Sequence, residues 1–184
     1  RAMAESTSSA AAAMMRPGVK EEGIAFVIKA CADIRPITPD LHLLIIGDGP
    51  GRPRLEAEAQ RVLPGAHTFA GRVPAAEMYR YYNAGDVFAF PGINESLGMV
   101  YLEAQCCGLP VVATSHDGAP EVVADGESGI IVPPFSLPQF TDALSTLLTD
   151  QELRIRYSRQ ARERILREHD MTANIVHLVL ARLP

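Results

Sequence analysis

Short apolar runs alternate with stretches of helical periodicity along this chain. LHLLIIG (41–47) is bounded by Pro39 and the turn GDGPG, the signature of a buried strand. AHTFAG (66–71) is a weaker run, and DVFAFP (86–91), LPVVAT (109–114) and SGIIVP (128–133) follow. Helical patterns separate these runs over 23–35, about 52–62, 75–84, 98–107 and 119–124. Two longer ones cover about 136–149 and 150–168, and a last apolar segment spans 171–182. Strands apolar on both faces and separated by helices predict an α/β fold. Specifically, they predict a Rossmann-like doubly wound parallel sheet with helices on both faces. Ligands of such sheets bind beyond the carboxyl ends of the strands. The opening RAMAESTSSAAAAMM has little β propensity, so residues 1–15 read as a linker, a cloning remnant or a weak first strand.

Composition narrows the function without naming it. The 184 residues carry a formal charge of −5, with 47% apolar and 21% charged positions, as in a soluble domain with a sizeable core. The acidic balance argues against a general nucleic-acid or membrane-surface binder. An anionic ligand must then be held by local amides and a few basic side chains. Cys31, Cys106 and Cys107 match no metal or redox spacing and fit a reducing compartment. None of the five histidines forms a pair at metal-ligand spacing. His116, in the loop after VVAT, either contacts a ligand or, the favoured reading, is an exposed loop histidine. Tyr79, Tyr81 and Tyr82 cannot share one helix face, so most of them are packing or surface residues.

Two turns are candidate anion sites. GDGPGR (47–52) is spaced Gly-x-Gly-x-Gly rather than as a dinucleotide fingerprint, which favours a tight βα turn. GINESLGM (92–99) leaves one strand and enters a helix. Ser96 is the expected N-cap, with Leu97, Gly98 and Met99 in the first turn and their N–H groups facing an anion. Gly98 is expected to leave those amides open to a phosphate. Glu95 and Glu103 span roughly 12 Å along a continuous helix, too far for a shared-proton dyad or a glycosidase pair. The spacing fits a diphosphate at the amides with a polyol at each end, because a carboxylate accepts from adjacent hydroxyls. The plain alternative makes Glu95 a favourable charge at a helix N-terminus and Glu103 a solvent-facing residue.

The segment PGINESLGMVYLEAQCCGLPVVATSHDGAPEVVADGESGIIVPP resembles the nucleotide-sugar-binding segment of the family 4 (group 1) glycosyltransferases of the GT-B fold. Glu95 and Glu103 match that family's Glu-x7-Glu motif, and LHLLIIGDGPGRPRLEA and FAGRVPAAEMYRYYNAGDVFAFP fit upstream. The resemblance implies that residues 16–170 form the C-terminal donor-binding domain of a two-domain enzyme. It implies transfer from a UDP- or GDP-sugar with retention of configuration and no metal or other cofactor. Glu95 would be the catalytic-site acid on the donor-sugar hydroxyls, and Glu103 would hold the ribose. Arg16, Lys20, Asn94, Ser96, Leu97, Gly98 and Met99 would meet the sugar and diphosphate, and the backbone at Arg72 and Val73 would border the base. The implied partners are the nucleotide sugar, an N-terminal acceptor domain absent from these residues, and a lipid-linked or polysaccharide acceptor; no nucleic acid is implied. Residues 171–184 would be a C-terminal helix packing toward that absent half. The chain thus reads as an excised domain, cytoplasmic or peripheral at the inner membrane face, and inactive in transfer by itself. It departs from the family at Glu22, where a lysine is usual, at Asp117, where a glycine is frequent, and in the longer spacing of Arg16. The rival readings are a non-catalytic nucleotide-binding scaffold of the same fold and a nucleotide-sugar epimerase.

Overall fold

A computed structural model describes residues 10–15, 21–93, 98–116 and 118–168. Six strands form one parallel sheet in the order β3-β2-β1-β4-β5-β6. They are β1 (Ala10–Met15), β2 (His42–Gly47), β3 (His67–Gly71), β4 (Val87–Ala89), β5 (Val111–Thr114) and β6 (Gly129–Val132). The helices are α1 (Glu21–Ile34), α2 (Arg52–Val62), α3 (Met78–Tyr82), α4 (Met99–Cys106), α5 (Ala119–Val122), α6 (Leu137–Thr149) and α7 (Gln151–Glu168), with a 3-10 turn at Ala75–Glu77. The expected α/β class and doubly wound topology are thus present. The apolar segment at 171–182 lies outside the described residues.

Side chains alternate across the sheet as a two-residue period requires. Ala11, Ala13, Val87, Ala89 and Val112 join the core under α1, α2 and α6. Ala12, Phe88, Phe90, Val111 and Ala113 join a second core with Tyr82, Tyr101 and Val122 under α3, α4 and α5. The Ala-rich stretch is the central strand, paired with β2 on one side and β4 on the other. Its poor intrinsic propensity is overridden because Ala11, Ala12 and Ala13 are fully buried between two helical layers. Small residues there give the larger Ile24, Val27 and Phe88 room to interdigitate. The Asp86 carboxylate accepts from the Ala10 amide at 2.8 Å, which ties the start of β1 to the start of β4.

The last two helices meet at one residue. Asp150 follows α6, and its carboxylate accepts from the Leu153 amide at 2.9 Å, capping α7. Arg154 donates to the carbonyls of Leu147 and Leu148 at 3.0 Å each, which would otherwise lack partners at the end of α6. Among the described residues no helix is long and apolar enough to cross a membrane.

Candidate functional site

The strand order reverses between β1 and β4, so the crevice at their carboxyl ends is where this topology places a ligand. Hydrogen bonds from neighbouring elements brace it. The Thr114 hydroxyl, at the end of β5, donates to the Pro91 carbonyl just past β4. Tyr101 on α4 donates to the Phe90 carbonyl at 3.2 Å. Gln105, fully buried, donates to the carbonyls of Tyr101 and Val122 at 3.1 and 3.0 Å and so locks α4 to the end of α5. Arg164 of α7 reaches the same Val122 carbonyl at 3.1 Å.

The start of α4 differs from expectation. Its N-cap is Gly98, at φ 65° and ψ 12°, not Ser96. A residue in the left-handed region cannot continue a right-handed turn, so the helix opens only at Met99. The amides of Met99 and Val100 precede the first intrahelical bond, which runs from the Tyr101 amide to the Gly98 carbonyl at 3.0 Å. The continuous-helix span between Glu95 and Glu103 therefore loses its basis. Only Met99 to Glu103 rises helically, by roughly 6 Å. Gly98 also serves a purpose other than an open approach for phosphate. A Cβ on it would stand 2.8 Å from Val122 Cγ2 and 3.0 Å from the Gly118 carbonyl oxygen. Glycine is required there by backbone angle and by packing together.

Glu103 is half-buried on α4 rather than simply solvent-facing. Its Oε2 accepts from the Tyr82 hydroxyl at 2.9 Å. Tyr82 is fully buried and sits edge-on to Phe88 at 5.7 Å, so the core fixes the phenol and the phenol fixes the carboxylate. Sequence reasoning missed this pair. The available signal was that Tyr82 alone of the three tyrosines falls on the apolar face of α3, but nothing local pointed to a carboxylate 21 residues away. Arg72 and Val73 follow β3, at the far side of the crevice, with Arg72 exposed. The sheet order puts three strand intervals, about 14 Å, between β3 and β4. That separation suits an extended ligand rather than a compact one. Arg52 organises this far side. It pairs with Glu56 at 2.8 Å, lies 5.8 Å over the Phe69 ring and stands 3.1 Å from where a Cβ of Gly71 would be.

The GDGPGR turn joins β2 to α2. A Cβ on Gly51 would run into the Glu21 carboxylate, so the acidic first turn of α1 folds over this turn. Glu21 and Glu22 both sit in that first turn, where negative charge suits the helix dipole. Burial, reinforced by Glu103 for Cys106 and by Cys106 for Cys107, pushes these two thiols up to about 11 and about 12. They stay protonated at neutral pH and supply no nucleophile. Of the predicted site residues, the described structure places Gly98, Met99, Glu103, Arg72 and Val73 along the carboxyl edge of the sheet or on the helix that leaves it. Arg16, Lys20, Asn94, Glu95, Ser96 and Leu97 lie outside the described residues, as does Asp117. Among the described residues no group of three or more His, Cys, Asp or Glu side chains is arranged to hold a metal.

The family profile described as "Glycosyl transferases group 1" matches residues 6–164 of this chain. The chain belongs to the group 1 glycosyltransferases. Its GT-B-type Rossmann-like domain is similar to that of a sucrose-phosphate synthase from Thermosynechococcus elongatus. That likeness has a TM-score of 0.80 and 26% identity, and covers 94% of this chain and 44% of that one. In sequence, the glycosyltransferase chain is 38% identical over 149 residues to a D-inositol 3-phosphate glycosyltransferase of Corynebacterium glutamicum (strain R). The match covers 77% of this chain and 36% of that protein. It is also 38% identical over 140 residues to a GDP-mannose-dependent alpha-(1-6)-phosphatidylinositol monomannoside mannosyltransferase of Mycolicibacterium smegmatis. Here 72% of this chain and 37% of the relative are covered. The matched region is thus little more than a third of the length of either curated relative. Family membership sets the epimerase reading aside.

Proposed function

We propose that this chain is the donor-binding half of a glycosyltransferase that transfers a sugar from a nucleotide-diphosphate sugar with retention of configuration. The observation that carries the reading is Glu103, held by Tyr82 on the helix that starts at the switch point of the sheet. A pre-oriented carboxylate there offers two acceptor oxygens to a ribose diol, and its orientation is set before the ligand arrives. The Met99 and Val100 amides, with Arg16 and Lys20, would meet the charge that grows on the leaving diphosphate, so the step is proposed to need no metal. Glu95 would orient the hydroxyls of the donor sugar. The backbone at Arg72 and Val73 would border the base. One relative's name specifies GDP-mannose, which makes guanosine diphosphate sugars the first donors to try. The acceptor, lipid-linked or polysaccharide, would be bound by an N-terminal half of a longer enzyme, and the work would take place in the cytoplasm or at the inner membrane face.

One observation favours a second reading. The first turn of α1 carries Glu22 where the family usually has a lysine, and an acid facing a diphosphate would repel it. A non-catalytic nucleotide-binding scaffold of the same fold would tolerate that arrangement. Calorimetric titration of the chain with GDP, UDP and their sugars separates the two. Donor binding weakened about tenfold or more by Glu103→Ala, roughly 1.4 kcal/mol, supports the site. Binding indifferent to both Glu103→Ala and Arg16→Ala removes it. Sugar transfer by these 184 residues alone would overturn the half-enzyme reading.

A further inference from the structure

Phe135 combines features that burial does not explain. Among the described residues it is the one non-glycine with a left-handed backbone, at φ 60°. A bulky L-residue is strained there, and only glycine adopts the region freely. Strain of this kind is usually offset by packing, yet the Phe135 side chain belongs to a residue that is 68% exposed. The chain holds it on a rigid mount. Pro133 and Pro134 precede it just past β6, and Ser136 then takes the N-cap position of α6 without a side-chain capping bond. Strained, exposed aromatic residues on a fixed mount are a mark of a working surface rather than of a core.

Its neighbour tells where that surface faces. The Phe135 ring meets the His116 ring edge-on, with centroids 5.7 Å apart and planes at 76°. His116 lies two residues beyond β5, on the ligand-bearing edge of the sheet. Its carbonyl oxygen stands 3.4 Å from where a Cβ of Gly92 would be, and the Gly118 carbonyl stands 3.0 Å from the corresponding point on Gly98. The backbone of the loop that carries His116 therefore lies against Gly92, just past β4, and against Gly98, at the start of α4. The two rings stand together on the loops that follow β5 and β6, at the carboxyl edge of the sheet.

Resting on the donor reading above, we propose that Phe135 and His116 form an aromatic wall that selects the sugar portion of a nucleotide sugar, with Phe135 the specificity-determining residue. A pyranose has an apolar face of C–H groups that packs on an aromatic ring, while an imidazole edge reaches its hydroxyls. The base and ribose of the nucleoside diphosphate are proposed to sit at Arg72, Val73 and Glu103, away from the loops after β5 and β6, so the wall adds to the affinity of the sugar rather than of the nucleotide. The strain at Phe135 is then the cost of presenting a ring where the backbone alone would take glycine.

The test compares Phe135→Gly and Phe135→Tyr with the unaltered chain, each titrated with GDP, UDP, GDP-mannose and UDP-glucose and each melted. Phe135→Gly is expected to bind the nucleoside diphosphate within about twofold of the unaltered chain and its sugar about fivefold more weakly, the range that one aromatic contact supplies. Its Tm should be equal or higher, because glycine relieves the left-handed backbone. Phe135→Tyr should restore sugar affinity. Equal losses for both ligands, a lowered Tm together with the loss, or no loss at all would each overturn the wall while leaving the donor site standing. An unaltered chain that binds none of the four ligands would fail the donor reading itself, and the wall with it.

Discussion

Replacing Gly98 by alanine perturbs the start of α4 in two separable ways. The first is conformational. At φ 65° an L-residue costs about 1–2 kcal/mol relative to its relaxed backbone. The second is steric. The new methyl would stand 2.8 Å from Val122 Cγ2, which can turn, and 3.0 Å from the Gly118 carbonyl oxygen, which is backbone. Overpacking of that kind costs about 1–3 kcal/mol. Gly65 supplies the control, since its φ is 70° and a Cβ there meets nothing within 4 Å. Gly65→Ala carries the conformational cost alone. Both substitutions also restrict the unfolded chain by the same amount, which cancels in the comparison. The difference between the two variants therefore isolates packing of the Gly98 turn against α5, at about 1–3 kcal/mol. Gly129 gives the opposite control. Its φ is not in the left-handed region, but a Cβ would collide with the Val111 carbonyl, so Gly129→Ala carries steric cost alone. Urea unfolding at constant m reads all three, and the expected order places Gly65→Ala as the mildest. Equal destabilisation by Gly98→Ala and Gly65→Ala would refute the claim that the turn is wedged against Val122.

Tyr82→Phe keeps the buried ring and removes the hydroxyl that holds Glu103. It should lower stability by about 1 kcal/mol in chemical denaturation and weaken nucleotide binding several-fold in calorimetry, whereas unchanged affinity would deny Tyr82 a positioning role. His42 titrates below its ordinary value of 6.5, first because of burial and then because of the charges of His67 and Arg35. The unfolded chain therefore takes up this proton at a higher pH than the folded one. The stability contributed by neutral His42 is complete above the ordinary value and is lost as pH falls through the lower folded value. Unfolding measured from about pH 7 to about pH 5 should show a shallower acid decline in His42→Gln than in the unaltered chain; parallel curves would rule the group out.

Much of the architecture was legible along the chain. The runs at 41–47, 66–71, 109–114 and 128–133 became β2, β3, β5 and β6 with one or two residues trimmed, and the helix read at 52–62 is α2 as observed. Those segments announce themselves because a buried strand or an amphipathic helix must repeat its apolar residues at its own period, and glycine or proline must interrupt it. The Glu-x7-Glu spacing and its neighbours likewise carried the family. Three-dimensional contacts decided the rest. Ala10–Met15 became the central strand because of what flanks it, not because of any preference of its own. The helix after β4 starts at Met99 because Gly98 is left-handed, and only glycine fits there because Val122 and Gly118, some 20 residues along the chain, crowd the position of a side chain. Glu103 acquired its partner from a tyrosine in a different helix. Glu21 lies over the Gly51 turn, and Phe135 against His116, through contacts no local pattern encodes. A sequence period reports that a face will be buried, whereas which residue it is buried against depends on how the layers stack, and that is settled only when the chain closes on itself.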